Sequence, residues 1–133
     1  MAVNPNVDER RYDFPWKEAT TPGETRLVGY TVREKQLDGS FINASTFASY
    51  TDWEMYCFEK LGDGGIDQAS RQTAAIFYIP IANINVAAPP LALVTCSNAK
   101  TALVTPGLRF HELWAKVSGE WTRLSYGDFP FVA

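Results

Sequence analysis

The sequence is poor in the residues that most often build catalytic or metal centres. It has one histidine, His111, and two cysteines, Cys57 and Cys96, which lie far apart and form no Cys-x-x-Cys pair. A structural zinc site therefore lacks ligands, and we expect neither a metal nor a cofactor. Because free cysteine is among the most buried residue types, we predict two reduced cysteines in the core.

Long apolar runs and an excess of positive charge are also missing. No stretch approaches the roughly 18 continuous apolar residues of a membrane span, so we expect no membrane partner. Met1 to Glu9 contains no apolar segment of the kind found in secretory signal peptides. We therefore expect that the protein is not secreted by such a signal. Twelve basic and fifteen acidic residues give a net charge of −3, which opposes a strongly cationic nucleic-acid-binding protein.

What the chain has in quantity is β-forming residues separated by glycine and proline turns. Its 133 residues suit one domain, since domains usually hold roughly 100–200. Seven to nine candidate strands predict an all-β fold, either a small β-barrel or a β-sandwich. We divide the chain into an extended N-terminal arm, residues 1–24, and a single β domain, residues 25–133. Ile66 to Gln72 is left open between a helical turn and a loop.

Charge is scarce in the middle of the chain. The stretch from Gln72 to Leu108 carries a single charge, that of Lys100. Uncharged runs bounded by proline are typical of strands buried on both faces, so we predict such strands here. Pro80 lacks a backbone donor, which predicts that its strand lies at a sheet edge or is bulged or broken there.

Two segments predict strands with defined faces. In Asp52 to Lys60, alternation places Trp53, Met55 and Cys57 on one face and Glu54, Tyr56 and Phe58 on the other. Near the C-terminus, Arg109 to Val117 and Glu120 to Ser125 flank a two-residue Ser118-Gly119 hairpin loop. The predicted hairpin pairs are Val117 with Glu120, Lys116 with Trp121, Ala115 with Thr122, Trp114 with Arg123, and Leu113 with Leu124.

Aromatic side chains are concentrated near both ends of the chain. The first three follow at period two, which places them on one side of an extended strand. Aromatic residues make up 14% of the chain, more than one domain core can easily bury, and exposed aromatic groups usually mark an interface. The predicted docking residues are Tyr12, Phe14, Trp16, Trp114, Trp121, Phe129 and Phe131.

Three features together resemble a known class. A proline-interrupted arm from Met1 to Pro22 precedes a long uncharged β segment with loops at Gly62 to Gly65 and Pro89-Pro90, and a hairpin from Phe110 to Trp121 follows. The whole resembles small virion proteins of tailed bacteriophages, of the head–tail connector and head- or tail-completion class. The resemblance implies a β-barrel or β-sandwich that packs in a ring or shell against its own copies or neighbouring virion proteins. We expect its location to be the virion or the cytoplasm.

We therefore predict a non-catalytic structural protein that assembles with other protein subunits and binds no nucleic acid. Its arm suits strand addition on another subunit, so deleting residues 1–22 is expected to abolish assembly and leave the β domain folded. One alternative is a monomeric β-barrel that binds a small apolar ligand in a pocket lined from Ala74 to Val104. The other is an enzyme that uses His111, alone or with Cys57 as nucleophile.

Overall fold

Strands dominate the described part of the chain. The computed structural model describes residues 6–133, so residues 1–5 of the predicted arm lie outside it. Half of the described residues are in strands and 13% in helices, and the strands form three sheets with no closed barrel among them. The all-β prediction is confirmed.

The elements follow one another closely along the chain. The strands are β1 (Asn6–Asp8), β2 (Arg10–Arg11), β3 (Arg26–Thr31), β4 (Arg33–Lys35), β5 (Phe41–Asn43), β6 (Tyr50–Phe58), β7 (Phe77–Pro80), β8 (Ile84–Ala88), β9 (Leu91–Cys96), β10 (Gly107–Val117) and β11 (Glu120–Phe131). The helices are α1 (Gln68–Ala74) and α2 (Asn98–Thr101), and single 3-10 turns occur at Trp16–Glu18 and Ile81–Asn83.

Three sheets result from this order. The central sheet runs β2-β11-β10-β6-β7, the cover sheet β3-β9-β8, and the small sheet β1-β4-β5. The inner faces of the central and cover sheets share one hydrophobic core, which contains Met55, Val94 and Leu113. A smaller cluster of Tyr56, Phe58 and Trp114 lies outside that core.

Strand β6 has the two faces that its alternation predicts. Trp53, Met55 and Cys57 belong to the main core, whereas Tyr56 and Phe58 belong to the smaller cluster. Both cysteines of the chain are free and buried, as expected. Pro80 ends β7, which is an edge strand of the central sheet, and this confirms the edge prediction.

The C-terminal hairpin keeps the predicted register only as far as a β-bulge. Trp114 lies opposite Arg123, and the pairs nearer the turn are also as predicted. The ladder then shifts between Leu113 and Trp114, so Leu113 faces Ser125 and the predicted pairing with Leu124 is wrong. A shift of one residue moves every later side chain of β11 to the opposite face of the sheet. Phe129 and Phe131 therefore face the core.

The prediction that the strands of the uncharged stretch are buried on both faces is wrong. Along β9 exposed and buried residues alternate, so this strand is buried on one face only. The reason is that no layer of the described residues covers the outer face of the cover sheet. Just before this stretch, the open segment at Ile66 to Gln72 becomes α1, whose Asp67 side chain caps the helix by accepting a bond from the Ser70 amide.

The N-terminal arm lies on the chain's own central sheet. Strand β2 runs parallel to β11, and the amides of Tyr12 and Phe14 donate to the carbonyls of Tyr126 and Asp128 at 2.7 and 3.0 Å. The Thr20 amide donates to the Pro130 carbonyl at 3.0 Å. The arm therefore extends the edge of β11 from residue 10 to residue 20.

Candidate interaction surface

Four of the seven predicted docking rings lie inside the protein. Phe14, Phe129 and Phe131 are 8%, 1% and 1% exposed and belong to the main core, and Trp114 is 6% exposed. The docking prediction is wrong for these four side chains. Tyr12 and Trp16 are about half exposed, and Trp121 is half-buried.

The arm and the bulge together explain the burial of the phenylalanines. Beyond the bulge, Phe129 and Phe131 share the inner face of β11 and pack with ring centroids 4.8 Å apart. Phe14 then joins them from the arm, 5.5 Å from the Phe129 ring. Arg26 lies over Phe14 with its guanidinium carbon 4.9 Å from the ring centroid. The rings of Phe14, Phe129 and Phe131 are therefore part of the chain's own hydrophobic core.

His111 ties the arm to the core. Its Nε2 lies 2.6 Å from the Tyr12 carbonyl oxygen and its Nδ1 lies 2.8 Å from the Tyr30 hydroxyl oxygen. A carbonyl only accepts, so Nε2 carries the hydrogen and the Tyr30 hydroxyl donates to Nδ1. Burial lowers the pKa of His111 to about 4, against smaller opposing effects of the Tyr12 carbonyl and Asp13. The ring is therefore neutral at pH 7.

The structure does bring Cys57 opposite His111 in the β6–β10 ladder. Burial, however, raises the pKa of the Cys57 thiol far above its usual value, whereas a cysteine nucleophile needs its thiolate. Both ring nitrogens of His111 are already hydrogen-bonded to other groups. The arrangement holds the fold together, with no activated thiolate in it.

Trp114 is covered by a residue that sequence reasoning did not single out. Helix α1 carries Arg71, whose guanidinium carbon lies 3.8, 4.9 and 5.3 Å from the ring centroids of Trp114, Trp121 and Tyr56. Its Nη1 donates to the Ile66 carbonyl at 2.6 Å. An arginine plane can stack on aromatic faces in this way, so the side chain is fully buried despite its charge. The residues next to Arg71 in the sequence do not predict that it stacks on these rings, because the contact depends on where α1 packs against the central sheet.

One group of exposed apolar side chains lies on the cover sheet. Leu27, Leu91 and Leu93 are 69%, 36% and 42% exposed and point away from the core, since the residues between them are buried. We call this surface the outer leucine face; its members are Leu27, Gly29, Thr31, Leu91, Leu93 and Thr95. None of them is charged. A groove of about 380 Å³ runs along it toward β8.

The sequence contained part of the signal for this face. Positions 91, 93 and 95 alternate with buried ones, and the ladder places Leu91, Leu93 and Thr95 opposite Thr31, Gly29 and Leu27. Without a charged residue to mark the solvent side, the alternation does not show which face stays uncovered. Apolar patches of this kind mark contact surfaces more often than isolated leucines do.

Neither a membrane-spanning helix nor a metal-binding cluster occurs in the described residues. None of the helices in residues 6–133 is long and apolar enough to cross a membrane. Within the same residues, no group of three or more His, Cys, Asp or Glu side chains is placed to hold a metal ion. Comparisons with family models, curated proteins and solved structures found no match to this chain.

Proposed function

We propose that this protein is a non-catalytic interaction protein that assembles with other protein subunits through the outer leucine face. The observation that carries the proposal is the grouping of Leu27, Leu91 and Leu93 on one exposed sheet face. As its setting we propose a virion of a tailed bacteriophage, which the resemblance of the arm, the uncharged segment and the hairpin supports.

A second copy of the chain suits this face. In a two-fold contact the same patch meets itself, and a patch without charge puts no like charges opposite each other. The side chains of Leu93 and Leu91 lie over Gly29, 3.5 and 3.7 Å from where a Cβ would stand, and so fill the gap that the glycine leaves in the face. The face is therefore self-complementary in charge and low in relief.

The size of the face decides how strong such a contact can be. The two strands that carry the face, each of six residues, cover a flat area of roughly 20 by 10 Å. That is less than the about 800 Å² per partner of a standard stable interface. We therefore expect weak, concentration-dependent pairing of isolated copies, which becomes stable only where an assembly supplies further contacts.

Light scattering at two protein concentrations tests the proposal. We expect the average mass to rise above that of one chain as the concentration increases from about 10 µM to about 1 mM, the range of weak association. Replacing Leu27 and Leu93 together by serine is expected to return the mass to that of a monomer at both concentrations. Because both side chains are exposed, the double variant is expected to keep its stability within about 0.5 kcal/mol.

Leu37→Ser is the matched control. Leu37 is 96% exposed but lies outside the outer leucine face, in the turn between β4 and β5. Its loss removes a comparable apolar side chain and should leave association unchanged. A wild-type mass that stays monomeric up to 1 mM, or association that survives L27S/L93S, would contradict the proposed function.

A further inference from the structure

A second groove lies where the central sheet meets α1 and the turn that follows β7. Its volume is about 300 Å³, and Asp52, Gln68, Ile81, Lys116 and Trp121 are among its lining residues. One wall is therefore aromatic and aliphatic, and the other carries an acid, an amide and an ammonium group. We infer that this groove binds the ring of a neutral saccharide.

The polar wall is built by a local distortion of the sheet. Trp114 lies opposite Glu54 and Lys116 lies opposite Thr51, so Asp52 and Trp53 together face the single residue between them on β10. At this bulge Asp52 has φ of 57°, a left-handed conformation that side chains other than glycine seldom adopt. The distortion brings the Asp52 carboxylate to 3.7 Å from Lys116 Nζ, and bulges often re-aim side chains next to binding sites.

Two cations contact the ring of the aromatic wall. The buried Arg71 guanidinium lies 4.9 Å from the Trp121 ring centroid. Lys116 Nζ lies 5.6 Å from the same centroid. The Lys116 and Asp52 side chains are 38% and 57% exposed, so both can move aside for a ligand. Glu54 accepts from Gln68 Nε2 at 2.9 Å and so holds this amide at the rim.

The chemistry of the two walls selects the ligand class. An apolar ligand would strip water from Asp52 and Lys116 without replacing their hydrogen bonds, which is costly. An anion gains little here, because the Lys116 ammonium is already paired with Asp52 and the Arg71 guanidinium is buried and bonded to the Ile66 carbonyl. A sugar ring meets both needs, because its C–H face can stack on Trp121 while its hydroxyls donate to Asp52 and accept from Lys116.

The inference is tested on the full chain with three neutral trisaccharides: cellotriose, maltotriose and triacetylchitotriose. We expect saturation-transfer NMR to detect at least one of them, with a dissociation constant of about 1 mM, as for a small shallow site. On labelled protein, the indole N–H signal of Trp121 should shift during the titration. No saturable transfer from any of the three at about 10 mM would overturn the inference.

Variants locate the site. Trp121→Ala is expected to weaken binding at least about tenfold, whereas Trp16→Ala, which removes a half-exposed indole elsewhere, should leave it unchanged. Asp52→Gly guards against loss of folding, because glycine accepts the left-handed conformation and should raise the melting temperature. It still lacks the carboxylate, so its binding should weaken. Unchanged affinity in both W121A and D52G would place the saccharide elsewhere and overturn the inference.

Discussion

At the scale of single residues, Gly127 is the position that admits the arm. A Cβ built on Gly127 would lie 2.0 Å from the Tyr12 carbonyl oxygen and 2.5 Å from its carbonyl carbon. These are backbone atoms, fixed by the hydrogen bond from the Tyr12 amide to the Tyr126 carbonyl. The arm can therefore reach β11 only because this residue has no side chain.

Replacing Gly127 by alanine is expected to displace the arm and to lower the free energy of unfolding by about 3 kcal/mol. Chemical denaturation of G127A measures the loss. Gly29→Ala is the matched control, since a Cβ at Gly29 meets only ordinary contacts at 3.5 and 3.7 Å. Equal unfolding midpoints for the two variants would show that the arm does not lie against Gly127.

His111 gives the arm a dependence on pH. Its pKa of about 4 in the folded protein lies below the value of about 6.5 expected in the unfolded chain. The lowered pKa means that the folded state disfavours the protonated imidazole. The neutral His111 ring therefore makes its full contribution to the free energy of unfolding above pH 6.5. This contribution is lost progressively as the pH falls from 6.5 toward 4, up to about 3 kcal/mol in all.

NMR titration of the C–H signals of this imidazole checks the prediction directly, because the chain has no other histidine. We expect a midpoint near pH 4. The neutral variant His111→Gln should show a shallower loss of stability between pH 7 and pH 4 than the wild-type protein. A midpoint near 6.5 in the native state would contradict the burial and hydrogen bonding described for this ring.

At the scale of elements, the sequence predicts local features well. The Ser118-Gly119 turn and the alternation of β6 both follow from neighbouring residues, and both are confirmed. The strand boundaries are less predictable, because β11 continues to Phe131 through Gly127 and Pro130, residues that usually interrupt a strand. Gly127 is accommodated because the arm needs its missing side chain, and Pro130 still accepts a hydrogen bond from the Thr20 amide through its carbonyl.

The bulge in this hairpin could not be predicted from local sequence. It removes Phe129 and Phe131 from the predicted docking surface. An unbroken register that puts Leu124 inward leaves Phe129 and Phe131 outward, where they would be docking groups. The shift at Leu113/Trp114 keeps Leu124 inside and turns both phenylalanines inward as well. No residue type marks the bulge, because it reflects how β10 fits between two partners. The exposure of the outer leucine face is equally non-local, since it depends on the absence of a covering layer.

At the scale of the whole molecule, the arm and the β domain share one core. Phe14 packs among core residues of β10 and β11, and Thr20 pairs with the end of β11. Removing residues 1–22 would expose Phe129, Phe131 and His111 together. Because a domain of this size is stable by only about 5–15 kcal/mol, this loss is large enough to threaten folding itself.

We therefore expect the protein without residues 1–22 to unfold at a much lower denaturant concentration than the full chain, contrary to the expectation that its β domain stays intact. Phe14→Ala isolates the core contribution and should cost about 3–5 kcal/mol. Trp16→Ala, two residues along the same arm and 55% exposed, should cost less than about 1 kcal/mol. A truncated protein with an unchanged unfolding midpoint and lost association would restore the arm as a docking element. A lowered unfolding midpoint of the truncated protein, together with association of the full chain that depends on Leu27 and Leu93, assigns the arm to folding and association to the outer leucine face.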